Sequence, residues 1–186
     1  MGQIFPAASE QTVARKELVA YINVGTAQAP EWVPIGWHCT DSSMSVEIDT
    51  DTQKDILGNV FTNASTPELS QEFDPLPIRQ GTSAGADKLQ QLLHDQWMTQ
   101  NFSGTYDTLI VYLYAGTEAQ SVKHYDAHHF PASTIVPGDF GGSAEDPLNR
   151  PITVYFGGAM EQGTVTINDQ GVVAFVPANA QNASDD

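Results

Sequence analysis

The chain has 186 residues, enough for one domain with a substantial core. It carries 23 acidic against 7 basic residues, a net charge of −16. That balance argues against binding DNA through phosphate neutralisation, which needs Lys and Arg, and against anionic membrane surfaces.

Residues 1–16 read as an extended arm, with Ile4, Phe5, Val13 and the only adjacent basic pair, Arg15-Lys16. Residues 18–24 are apolar on both alternating faces, which predicts a strand buried on both sides. A loop over 25–30 leads into Glu31-Trp-Val-Pro-Ile-Gly-Trp37, where Pro34 marks an edge or a bend. Residues 43–75 read as one long hairpin. Met44, Val46 and Ile48 alternate with Glu47 and Asp49, and Asp51 continues the acidic row. Successive strand side chains point to opposite faces, so one face is apolar and the other carries three carboxylates about 7 Å apart. The turn falls at Gly58-Asn59. The return arm is rich in Thr and Ser, adds Glu68, Glu72 and Asp74, and stops at Pro75 and Pro77.

Gly81 to Gly85 is a linker in which Thr82 or Ser83 can cap a helix and Asp87 complements its dipole. Leu89, Leu92, Leu93 and Trp97 then recur at i, i+3, i+4 and i+8, one packing face of a helix over about 86–100. Residues 107–115 form the strongest strand, turned at Gly116. Residues 119–129 return antiparallel, and 130–136 form a further strand interrupted by Pro131. A Gly/acid loop over 139–146 precedes a strand at 151–156 with Ile152, Val154 and Phe156 on one face. A last hairpin turns at Asn168-Asp-Gln-Gly171, and 177–186 is a polar, acidic tail without structure of its own. Roughly eight to ten short strands and one helix make a mainly β fold: a barrel or sandwich of two antiparallel sheets with one flanking helix. The domain spans 17–176.

The chemistry of catalysis is sparse. His124, His128 and His129 with Asp126 invite a metal, but on a strand His124 and His128 stand about 13 Å apart, too far for one ion. Ser83 lies in a Gly-x-Ser-x-Gly spelling, yet Leu76-Pro-Ile-Arg-Gln80 before it is no hydrophobic strand, so a nucleophile elbow is not expected. Cys39 is the single cysteine, so no intrachain disulfide forms, and a lone thiol is more often an inert buried group than a nucleophile. No cofactor is expected and no enzyme. No run approaches the roughly 18 apolar residues of a membrane span. Met1-Gly-Gln-Ile-Phe-Pro6 matches neither a signal peptide nor, because of Pro6, a myristoylation site.

The order of elements resembles the major tail tube proteins of long-tailed, siphovirus-type phages. The resemblance lies in Trp32-Val-Pro-Ile-Gly-Trp37, Asp41-Ser-Ser, Lys54-Asp-Ile-Leu-Gly58, Gln71-Glu-Phe-Asp-Pro75 and Lys88-Leu-Gln-Gln-Leu-Leu-His-Asp-Gln-Trp97. It continues in Thr134-Ile-Val-Pro-Gly138, Gly141-Gly142 and Pro151-Ile-Thr-Val-Tyr-Phe156, covering about residues 30–158. It implies a structural, non-enzymatic subunit in the virion tail, assembled in host cytoplasm. It implies hexameric rings stacked into a tube, with tape-measure, baseplate and tail-terminator proteins as partners, and DNA passing through the lumen unbound. On that footing Glu47, Asp49, Asp51, Glu68 and Glu72 are the expected lumen lining. Ile4, Phe5, Lys54, Asp55, Ile56 and Leu57 are the expected inter-ring or inter-subunit contacts. The competing expectation is a monomeric β-sandwich module binding carbohydrate or peptide, with Trp32, Trp37, Tyr112 or Tyr114 as stacking platforms.

Overall fold

A computed structural model describes residues 13–36, 39–76, 84–119, 122–145, 148, 150–168 and 171–181. Ile4, Phe5, Trp37, Thr82 and Ser83 lie outside them, as do the middle of the 168–171 turn and the end of the acidic tail. Eleven strands and two α-helices are described, and the fold is mainly β, in one large and one small antiparallel sheet.

The centre is an antiparallel ribbon of β1 (Leu18–Asn23) and β7 (Thr105–Ala119). Neighbouring residues serve opposite cores. Ala20, Ile22 and Ile110 enter one, while Tyr21, Leu109 and Val111 enter the other. This explains the unbroken apolar text of both segments, since a strand covered on both faces has no polar alternate position. β2 (Trp32–Pro34) pairs with the end of β1 and forms one end of the sheet order. Pro34 therefore sits on an edge strand, where a missing N–H costs little.

β8 (Val122–Pro137) runs along β7 for most of its length. Its other side is shared: residues 124–129 pair with β10 (Glu161–Ile167), and 134–137 pair with β9 (Ile152–Phe156). The sequence predicts two strands here, 119–129 and 130–136, the second interrupted by Pro131; the structure makes them one strand with a bulge. Thr108 pairs with Phe130 but Tyr106 with Ser133, so Pro131 falls where no ladder donor is required. The backbone N–H of Ala132 instead donates to the Gly157 carbonyl at 3.1 Å. The extra residue also shifts the alternation, so that Phe130 and Ile135, five apart, both enter the first core.

The sequence predicts a turn at Gly116, and the structure differs. β7 continues to Ala119 through a second bulge, between the Tyr112–Asp126 and Gly116–Tyr125 pairs. Gly116 has φ +146°, and a Cβ there would overlap the His124 carbonyl oxygen. Only glycine fits this bulge without displacing β8.

The second lobe extends the sheet as β9, β6 (Glu68–Pro75) and β3 (Cys39–Glu47). Beyond it, β4 (Thr50–Lys54) and β5 (Val60–Ala64) form the small two-stranded sheet. β11 (Val173–Pro177) hairpins with β10 and covers the second core through Val173. The tail does not lose structure at Pro177: α2 (Ala178–Gln181) follows, short and alanine-rich. Nor is the chain extended up to residue 16. Arg15–Glu17 forms a 3-10 turn, closed by the Glu17 carboxylate on the Ala14 N–H at 2.7 Å.

α1 (Ala84–Thr99) packs on the first core through Leu89 and Leu93, with Leu92 partly buried beside them. Trp97, assigned to the same face by spacing, stands at its edge, 37% exposed. At 100° per residue it lies about 80° round the helix from Leu89, whereas Gln96 lies within about 20°. Gln96 is accordingly buried and donates from Nε2 to the Tyr106 hydroxyl at 2.9 Å. Trp97 stacks instead on Phe140, with ring centroids 5.3 Å apart.

Two substitutions test this architecture. Gly116→Val should cost more than about 2 kcal/mol, since it adds both strain and a backbone clash. Ile110→Ala should cost about 2–5 kcal/mol through the cavity left in the first core. Urea titration followed by tryptophan fluorescence reads both, and an unchanged midpoint for Gly116→Val would show that the bulge relaxes freely.

Candidate functional site: an acidic sheet face and a projecting arm

Strand register builds the first element. In the second lobe Phe73, Ile152, Val154 and Ile135 point into the core, and the alternate positions form the other face. Ser43 pairs with Glu72, Ser45 with Ser70 and Glu47 with Glu68. Across β6 and β9, Ser70 meets Tyr155 and Glu72 meets Thr153; Thr134 and Val136 of β8 complete the rows. The face is thus made of hydroxyls and carboxylates, with Val136 and Tyr155 at one side and no Lys or Arg at these positions. Glu47 and Glu68 stand directly opposite, a like-charge pairing that destabilises a sheet.

Three of the five expected carboxylates, Glu47, Glu68 and Glu72, therefore share one face. The other two depart from the sequence expectation. β3 stops at Glu47, Asp49 falls in the break, and Asp51 belongs to β4, opposite Asn63. The single alternating row predicted through Asp51 is interrupted, although reciprocal bonds between Asp49 and Ser65 hold the two arms together across the break.

The second element is the arm itself. Every residue from 45 to 68 is exposed. Met44 packs on the first core, but Val46 and Ile48, the remainder of the expected apolar face, are in solvent together with Val60 and Phe61. The alternation predicted a face to be covered, and within one chain nothing among the described residues covers it.

At the tip a well-made turn presents Ile56, 102% exposed, and Leu57, 81% exposed. Asp55 organises it. Its Oδ1 accepts the Leu57 and Asn59 N–H groups, and its Oδ2 accepts the Asn59 side-chain amide, all at 2.8 Å. These bonds, the Asn59 side chain first, hold the Asp55 carboxyl below the usual aspartate range. Gly58 closes the turn at φ +84°. Exposed apolar groups on a rigid scaffold mark a contact surface.

A third feature went unread in the sequence because its parts are 27 residues apart. Arg15 donates from Nη1 to the Leu18 carbonyl at 2.7 Å and from Nη2 to the Ser42 hydroxyl at 2.6 Å. It so bridges β1 and β3, which do not pair with each other. The Ser42 hydroxyl also donates to the Glu72 carbonyl and accepts from the Gln71 amide. The basic pair Arg15-Lys16 was the only available sign.

The reactive candidates do not converge. His128 accepts or donates at Nδ1 to the Tyr112 hydroxyl, 3.1 Å away, and burial lowers its pKa against the opposing pull of Asp126. His129 faces the other way, 3.1 Å from Glu161 and 3.8 Å from Asp107. Among the described residues no group of three or more His, Cys, Asp or Glu is placed to hold a metal ion. Burial, aided by the Asp74 carboxylate, pushes the Cys39 thiol up to about 11, so little of it is thiolate at neutral pH. Trp32 is half-buried, edge-on to His129, whereas Tyr114 is exposed.

No protein-family profile matches the chain, and no curated protein matches it by sequence. Solved structures do match. A chain from the tail of an empty gene transfer agent particle, refined helically with C6 symmetry, gives a TM-score of 0.56 at 10% identity, over 80% of this chain and 97% of that one. A chain from the virion of the native gene transfer agent particle gives 0.51 at 11% identity, over 81% and 98%. A chain from the sheath/tube terminator of the PVC extracellular contractile injection system, in its extended state, gives 0.48 at 16% identity, over 83% and 99%. The fold is shared with chains of the gene transfer agent tail and virion.

Asp55→Ala should loosen the tip and leave the body intact. Amide exchange should quicken at Leu57 and Asn59 with no change in the global unfolding midpoint. Because the folded-state pKa of Asp55 is depressed, its contribution is complete above the ordinary aspartate value of about 3.9. That contribution is lost as pH falls further, through the folded value. The Asn59 amide resonance, titrated by NMR, should move only in that acid window; a transition near neutrality would assign the turn to another group.

Proposed function

We propose that this protein is the structural subunit of the tail tube of a long-tailed phage or phage-like particle, closing into hexameric rings that stack around a DNA-conducting lumen. The observation that carries this reading is the fold shared with gene transfer agent tail and virion chains, combined with a sheet face bearing Glu47, Glu68 and Glu72 and no basic residue. DNA that must slide cannot be held. A basic wall would release counterions from the phosphates and bind them, whereas carboxylates and hydroxyls offer no such gain. The like-charge Glu47–Glu68 pair, a cost to the isolated sheet, has a purpose on such a wall.

The arm supplies the assembly side. Its uncovered apolar row and tip suit contacts with further copies, as do the strand edges open at β2 and β11 among the described residues. Lys54, Asp55, Ile56 and Leu57 belong to that contact, and Asp49 and Asp51 extend the acidic wall towards it. Tape-measure, baseplate and terminator proteins would be the heterologous partners in the virion tail.

Negative-stain electron microscopy of the purified protein over a concentration series, with light-scattering mass, tests the reading. Rings or tubes with a central hole are expected; a monomer at every concentration, also with tail initiator components added, would defeat it. The lumen assignment has its own test in Glu47→Lys. Opposite Glu68 the lysine creates a favourable cross-strand pair worth about 0.2–1 kcal/mol, so the fold should be as stable or more so. DNA delivery by particles carrying it should nevertheless fall. Full delivery would remove Glu47 from the lumen.

A further inference from the structure

Resting on the tube reading above, the geometry points to the partner of the arm tip: Ile56 and Leu57 of one copy seat in the cleft between β1 and β3 of the next. That cleft encloses about 370 Å³. It exists because, among the described residues, the large sheet does not close: β3 pairs there only with β6, the first residues of β1 only with β7, and Arg15 spans the gap. Leu18, Ala20, Pro34 and Phe73 give it an apolar lining, and Arg15 and Lys16 stand at its side.

Charge selects this receptor over other apolar surfaces. Two chains of net charge −16 repel, so a contact between copies must bring opposite charges together locally. Two of the seven basic residues of the chain lie at this cleft. The tip that would enter it is flanked by Asp51 and Asp55. The complement runs the other way as well, because Lys54 beside the tip matches Asp41 beside the cleft. At a competing apolar surface, around Trp97 and Phe140, the Arg150 guanidinium is already stacked on the Phe140 ring at 5.0 Å.

The arm cannot be its own ligand: it leaves the body from the strand that lines the cleft and is exposed along its whole length. Tip and cleft are different surfaces, so the contact is head-to-tail and propagates from copy to copy.

The test places a benzophenone amino acid at Leu57 in the full chain. Assembled tubes are collected by sedimentation, irradiated and mapped by mass spectrometry. Cross-links to residues 18–20, 34–36 or 39–42 of a second chain are expected, and Lys16→Glu should cut their yield several-fold. Tubes whose cross-links map to the Trp97–Phe140 surface, or whose yield is indifferent to Lys16→Glu, overturn the contact and leave the tube reading standing. A chain that stays monomeric under every condition, initiator components included, brings down the tube reading and this contact with it.

Discussion

The antiparallel contact between β1 and β7 serves two cores at once. Ala20 and Ile110 are paired and fill one core; Tyr21 and Leu109 are paired and fill the other. A ribbon so used cannot have a wet face, so something must be packed on each side. On one side these are α1 and the β9–β6 part of the sheet, and on the other the β10–β11 hairpin. With both sides committed near the ribbon, β3 and the far end of β6 are left with one buried face and then none. The projecting arm follows from where the core is spent.

β8 reconciles the two lobes. A strand with one neighbour on each side cannot pair with both β10 and β9 unless they follow one another along its edge, and the change occurs beside Pro131. Proline there removes a donor at the place where the ladder has no use for one. The bulge re-phases the alternation, so a strand that began by serving the second core through Ala127 ends by serving the first through Ile135. The Gly116 bulge does similar work at the other end of the same pair of strands.

Much of this was legible in the text because it is periodic. The double-sided apolar runs, the leucine face of α1, the Asn168–Gly171 hairpin turn and the Pro34 edge follow from burial and backbone sterics that act locally. What could not be read depends on distant pairing. Pro131 and Gly116 look like breaks in a sequence, and become bulges only when a partner strand supplies the remaining hydrogen bonds. Trp97 counted as apolar by type, yet its angle around the helix gave the inward place to Gln96. Of the candidate face, the hairpin and its acidic composition were visible. The opposition of Glu47 to Glu68 required the register, and the interruption at Asp49 shows how one break in a strand undoes a face inferred from alternation.

The arm and the acidic face place opposing demands on the chain. Exposed apolar groups favour association, with about 25 cal/mol gained for each Å² removed from water. A net charge of −16 opposes it, over a range that salt shortens to about 10 Å. Carrying apolar groups on a slender arm, and holding its tip through the Asp55–Asn59 bonds, reduces the ordering entropy that a contact would otherwise consume. In the proposed tube, salt would screen the carboxylate repulsion between copies and the local attraction at the cleft together, leaving the apolar contact as the part that salt does not weaken.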